Sequence, residues 1–190
     1  MRFFLLILQT NTLQQIAQAN TTLSEFTFYT NGSVTNFGNS RCSMGIAWIQ
    51  IYNNSIIHQF SAQIQNWSSL YKAELTAILL AICTCSQNSI IYIYTDSQSI
   101  ISKYKALLNA KYNTSKIYSY NYWPIWHTLL YLIQLYSNTI TLYKVLAHSD
   151  NEFNNFADQL AKTIQIFPFY NFFLTTSITL HFIYNINNLI

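Results

Sequence analysis

Only 8% of the 190 residues are charged, against about a quarter in an ordinary domain, so the six acids can be weighed one at a time. They are Glu25, Glu74, Asp96, Asp150, Glu152 and Asp158. Glu74 shares a helical stripe with Leu70, Ala77 and Ile78, at spacings of three and four, and so faces inward among apolar neighbours. Asp158 sits between Phe156-Ala157 and Leu160-Ala161 and poses the same problem. An inward carboxylate needs a cation, a proton or a hydrogen-bond donor. Asp96 closes an apolar run as Tyr94-Thr95-Asp96-Ser97, and a second run, Phe26-Thr27-Phe28-Tyr29, closes in the same way as Thr30-Asn31-Gly32-Ser33, with an amide in place of the carboxylate. In open sheets, functional groups gather beyond the carboxyl ends of adjacent strands, where Asn31 and Asp96 both fall. Acids gathered in this way suit Mg2+, which takes hard oxygen ligands and leaves its remaining positions to water and substrate phosphate.

The elements that must position these residues follow from the pattern. Phe26 to Thr30, Gly45 to Tyr52 and Ile56 to Ile64 read as strands of an antiparallel meander. The last two are joined by Asn53-Asn54-Ser55, whose side chains tolerate the positive φ of a tight turn. Ser68 and Ser69 offer a cap for a helix from Leu70 to Ser86, ended by Asn88. Ile90 to Tyr94 is a continuous apolar run of strand length, as expected for a central strand buried on both faces. Ser97 to Leu108 reads as a helix capped by Ser97 or Ser99. A polar, lysine-bearing stretch, Asn109 to Tyr122, comes next. Pro124 opens a further helix, Trp123 to Tyr136. Thr139 to Leu146 returns to strand and Asn151 to Ile166 to helix. The order βββαβααβα predicts an α/β fold, a five-stranded mixed sheet with helices on its faces. One domain covers residues 25–166, with an N-terminal extension at 1–24 and an apolar tail at 167–190.

Half of the residues are apolar, enough for a sizeable core, which excludes a disordered chain. The net charge of +3 and the grouping of Lys103, Lys105, Lys111 and Lys116 favour a polyanionic partner. Cys42, Cys83 and Cys85 form no CxxC pair, and a reduced compartment, cytoplasmic or nuclear, is expected. The apolar run Phe3 to Leu8 is shorter than a signal-peptide core. The segment Ile164 to Ile190 carries no charge but contains Pro168, His181 and many Ser, Thr and Asn, so a membrane span finds poor support there.

Four motifs resemble the type 1 ribonuclease H family, whose members cut the RNA strand of RNA/DNA hybrids with two Mg2+ ions. Phe28-Tyr-Thr-Asn31-Gly-Ser33 is similar to the family's first strand and turn, Lys72-Ala-Glu74-Leu-Thr-Ala77 to its helical acid, and Tyr94-Thr-Asp96-Ser97 to its third acidic position. His148-Ser-Asp-Asn-Glu-Phe-Asn154-Asn-Phe-Ala157-Asp158-Gln-Leu-Ala161 resembles the family's loop histidine followed by Asn and then Ala-Asp-x-Leu-Ala. The likeness runs from Phe26 to about Lys162. It implies that Glu74, Asp96 and Asp158 bind metal, that His148 handles protons or product release, and that Asn31 stands at the position of the first metal-bridging Asp. Asp150 stands where a glycine often opens the mobile loop. Binding of the hybrid would draw on Asn36, Gln98, Ser99 and Asn154 with the four lysines, recognising shape rather than sequence.

Asn31 keeps a carbonyl oxygen but brings no charge. For a unit pair about 4 Å apart at an effective dielectric near 20, the missing attraction is of order 4 kcal/mol, or roughly a thousandfold in rate if it is lost from the transition state. Three readings follow. The first is a hybrid ribonuclease impaired by Asn31, expected as a monomer. The second is a catalytically silent nucleic-acid-binding domain derived from a retroelement. The third is a membrane-associated protein using both apolar ends.

Overall fold

The computed structural model describes residues 2–36, 38, 42–64, 68–146, 151–165 and 171–172. β1 (Glu25–Thr35) alternates as its sequence does: Phe26, Phe28 and Thr30 are buried on one face, and Thr27 and Tyr29 are half-buried on the other. It pairs antiparallel with β2 (Ser43–Tyr52), which pairs antiparallel with β3 (Ser55–Ile64), so the expected meander is present. The connecting turn places Asn53 and Asn54 at φ of 48° and 59°, the left-handed region their short amide side chains tolerate. β4 (Ile90–Thr95) lies parallel beside β1, and β5 (Thr139–Lys144) parallel outside β4. These five strands make the expected mixed sheet. Within the segment read as an apolar tail, Asn171–Phe172 adds a two-residue β6 beside β3, giving the order β5-β4-β1-β2-β3-β6.

One face of the sheet is covered by α2 (Leu70–Ile82), which in turn packs against α3 (Gln98–Asn109) and α5 (Trp123–Leu135). Phe28, Ile46, Trp48, Ile78, Ile93 and Trp126 form a continuous core there. α6 (Glu152–Thr163) lies on the opposite face, over β1 and β2.

Residues 1–24 received no element from the sequence pattern, yet Arg2–Ala19 form a helix, α1, whose Leu13 and Ile16 enter the same core as Trp48. A short 3-10 turn, Asn20–Thr22, follows. Asn20 is fully buried and exchanges two 3.0 Å hydrogen bonds with the amide of Gln50, while also donating to the Thr84 carbonyl at 3.0 Å. Three satisfied bonds on one buried amide fix the end of α1 to both β2 and the end of α2.

Several expectations require correction. The helix begun at Leu70 stops at Ile82 rather than Ser86, because Thr84 turns its hydroxyl back to the Ala81 carbonyl at 2.7 Å and the Ser86 hydroxyl is spent on the Leu23 carbonyl. The stretch Asn109 to Tyr122 contains a five-residue helix, α4 (Thr114–Tyr118), capped by Asn113, whose side chain accepts the Lys116 N–H at 3.3 Å. Ser97 occupies the N-cap of α3 but makes no capping hydrogen bond. β4 is not buried on both faces: Ile91 and Ile93 are, while Tyr92 and Tyr94 are half-buried on the face that α6 leaves partly open. There Tyr94 stacks between Tyr29 at 4.7 Å and Tyr143 at 5.1 Å, and Phe153 of α6 reaches only Tyr29, at 5.4 Å, so neighbouring rings shield one another. Among the described residues, no helix is long and apolar enough to cross a membrane.

Candidate active site

The first strand does not end at Asn31 as its sequence suggests, since β1 runs on through Asn31 and Gly32 to Thr35, but its register with β4 still aligns Asn31 with Asp96. Tyr29 of β1 pairs with Tyr94 of β4, so Asn31 and Asp96, each two residues further on, continue the same parallel register. Thr95 ends β4, and its hydroxyl accepts the Ser97 N–H at 3.2 Å, turning the chain so that Asp96 sits at the mouth of the sheet.

Glycine 32 explains how Glu74 arrives beside them. A Cβ built at Gly32 would lie 2.5 Å from the backbone nitrogen of Glu74 and 2.8 Å from the Cβ of Ala73, so only glycine lets α2 come this close to β1. Gly45 does the same for α6. A Cβ there would lie 1.8 Å from the Ala161 carbonyl oxygen, and this close contact lowers Asp158 toward the pocket from the other face. Asn151 accepts the Asn154 N–H at 2.9 Å and starts α6 so that Asn154 and Asp158, four residues apart, share a face.

Asn31, Glu74, Asp96, Asn154 and Asp158 thereby line one open cavity of about 250 Å3, together with Leu70 and Lys162. Asn31 is 3% exposed and Glu74 8%, whereas Leu70, at the first turn of α2, faces solvent. Burial pushes the Glu74 carboxyl up to about 7; a hydrogen bond with Ser97 opposes the rise, the nearby Asp96 adds to it, and Lys144 opposes it. Asp96 Oδ1 is buried without a hydrogen-bond partner, as is Asn154 Oδ1. Lys162 donates to Asp158 at 2.5 Å, and Lys144 donates to the backbone carbonyl of Asp96.

The donor set suits a hard divalent cation: three carboxylates and the side-chain amides of Asn31, Asn154 and Asn155 surround the cavity, and Asp96 Oδ1 is an acceptor that a cation would satisfy. Among the described residues, however, no three His, Cys, Asp or Glu side chains stand close enough together to hold a metal as they are. The three acids share one pocket without meeting at a point.

The other sequence candidates divide. His148 and Asp150 lie outside the described residues. Gln98 and Ser99 are exposed at the start of α3, next to Asp96, and Asn36 is exposed with φ of 52° at the end of β1. Lys105 and Lys111 are exposed, but the four lysines are not one free patch. The Lys103 ammonium lies over the rings of Tyr71 at 4.5 Å and Tyr120 at 5.1 Å, and Lys116 donates to the Ala106 carbonyl at 3.2 Å. Asn154 faces the cavity and is 1% exposed. Sequence reasoning missed three residues here: Lys162, Lys144 and Ser97. Lys162 was open to discovery, since it follows Asp158 by four on a helix. Lys144 becomes visible only once β5 is known to lie beside β4.

Residues 24–165 match the family model described as RNase H. Ribonuclease H from Chlorobium phaeobacteroides is 30% identical over 96 residues, and that from Chlorobium limicola 29%; each alignment covers 48% of this chain and 64% of the relative. Among solved structures, a foamy viral protease-reverse transcriptase in complex with RNA/DNA hybrid aligns with a TM-score of 0.61 at 21% identity, over 74% of this chain and 20% of that one. LC9-RNase H1, a type 1 RNase H with the type 2 active-site motif, aligns with a TM-score of 0.59 at 13% identity, over 74% and 71%. These two share the fold, while the family match spans most of the sheet and every acid of the pocket. This chain belongs to the RNase H family.

Proposed function

We propose that this chain binds RNA/DNA hybrids across the pocket formed by Asn31, Glu74, Asp96 and Asp158, and that its cleavage of the RNA strand is impaired by Asn31. The observation that carries the reading is the shared cavity: residues from β1, α2, β4 and α6, far apart in sequence, present oxygen atoms to one opening at the end of the sheet. Glu74, Asp96 and Asp158, with the Asn31 carbonyl, would hold Mg2+. When bound, the ion supplies charge stabilisation at the scissile phosphate and an acidified water. The chain's own residues do the rest. Gly32 and Gly45 press α2 and α6 inward to hold the acids, Ser97 orients Glu74, and Gln98 and Ser99 offer polar groups beside Asp96 to sugar and phosphate. His148, by resemblance, serves proton transfer or product release.

Cleavage of a labelled RNA/DNA hybrid in Mg2+, by this protein beside Asn31→Asp, tests the reading. Little or no turnover is expected from the natural sequence and a gain of roughly a thousandfold from the variant, the inverse of the charge loss estimated for Asn31. Equal rates would remove Asn31 as the cause. A second reading, a catalytically silent binding domain of retroelement origin, is supported by the lysine already paired with Asp158 and by the fold shared with a foamy viral protease-reverse transcriptase. Hybrid binding with no turnover in either protein would favour it.

A further inference from the structure

Among the described residues the pocket gathers Glu74, Asp96 and Asp158, and two lysines, Lys162 and Lys144, reach them. In so lightly charged a sequence that pairing demands a cause. Lys162 lines the cavity and donates to Asp158 Oδ2 at 2.5 Å, taking up one of the two oxygens that a cation bound at Asp158 could use. Its side chain is 52% exposed and that of Asp158 23%, so the ammonium can meet a phosphate at the mouth while it stays beside the carboxylate. Asp96 and Asn154 also line the cavity, and Oδ1 of each is buried without a hydrogen-bond partner. Asp158 therefore has a cation supplied by the chain itself, whereas Asp96 Oδ1 has no partner within it.

We infer that Lys162 is the built-in counter-ion of this pocket: it neutralises Asp158 in place of a second divalent ion, leaves room for a single divalent ion on the Glu74 and Asp96 side, and contacts the hybrid phosphate directly. Asn31 and Lys162 then belong together. The amide removes one negative charge and the lysine offsets another, so the pocket has too little negative charge to hold two divalent ions. This inference rests on the metal and hybrid sites proposed above. It predicts that hybrid binding survives removal of divalent ions, because a permanent charge on the chain meets the phosphate.

The test is Mn2+ titration by calorimetry, and hybrid binding in EDTA, for the natural protein, Lys162→Met, Lys162→Arg and Lys105→Met. Lys105 is exposed on α3 outside the cavity and controls for a general loss of positive charge. Lys162→Met should bind Mn2+ about tenfold more tightly and hybrid in EDTA about tenfold more weakly, with Lys162→Arg close to the natural protein on both counts and Lys105→Met unchanged toward Mn2+. Unchanged Mn2+ affinity in Lys162→Met, or no Mn2+ binding by any variant, overturns the inference. If no variant binds hybrid yet Lys162→Met still gains Mn2+ affinity, the hybrid reading fails while the competition at Asp158 stands.

Discussion

Glu74→Gln removes a charge that the fold holds at a cost. The carboxyl rises from an ordinary 4.5 to about 7, chiefly through burial. The unfolded chain gives up this proton near 4.5 and the native chain near 7, so the sign follows directly. Below 4.5 both states are protonated and the group costs nothing. Between 4.5 and 7 only the unfolded state is ionised, and stability falls as pH rises. Above 7 both are ionised and the loss levels off. The gap between the two values corresponds to roughly 3 kcal/mol. Glutamine keeps the shape without titrating, so its advantage over the natural protein should grow from near zero at about pH 4 to roughly 3 kcal/mol at about pH 8. Urea unfolding in EDTA across that range, followed by tryptophan fluorescence, measures it, and subtracting one protein from the other removes most other titrations. A difference that stays constant across the range would refute the account of Glu74 as a carboxylate penalised by burial. Adding Mg2+ at about pH 8 should recover part of the loss in the natural protein and none in the variant.

Gly32→Ala should destabilise by roughly 1–3 kcal/mol, because its Cβ would meet the Glu74 backbone nitrogen at 2.5 Å; an unchanged melting temperature would show that α2 is free to shift. Asn20→Ala leaves the Gln50 amide and the Thr84 carbonyl without their partner, and urea unfolding should register a loss of roughly 1–3 kcal/mol, against near zero for the exposed Asn36→Ala. Lys103→Met should weaken hybrid binding less than Lys105→Met, since the Lys103 ammonium already lies over two tyrosine rings; binding isotherms at matched salt rank the two.

The sheet was legible in the sequence because its strands alternate or run apolar between turn residues, and because Asn53-Asn54 marks the hairpin turn chemically, as Pro124 marks the start of α5. The parallel pairing of β1 with β4 was legible for a different reason: two strand ends carried the same polar device. What escaped detection depends on tertiary partners. α1 reads as an unremarkable mixed segment until Leu13 and Ile16 have a core to enter and Asn20 has Gln50 to bond. α4 is too short for a period to show. The tyrosines of β4 read as core because an apolar run says nothing about which face a helix will cover. In the pocket, the four polar positions were visible as oddities among apolar neighbours and Lys162 could be read from its spacing to Asp158, whereas Lys144 was hidden, since a strand-end lysine looks like ordinary surface charge until β5 lies beside β4.

β1 continues through Asn31 and Gly32 to Thr35, with Asn31 opposite Ala47 and Gly32 opposite Ile46 in the ladder. An Asn-Gly step ages by closing the glycine nitrogen onto the side-chain amide carbon, and that ring needs a backbone bent away from the extended form. Here the step is held straight, buried, and backed by α2, so the folded molecule keeps its amide while unfolded copies lose theirs. Deamidation at Asn31 should thus track time spent unfolded, and a carboxylate at position 31, normal or iso-linked, would mark a molecule that had been unfolded.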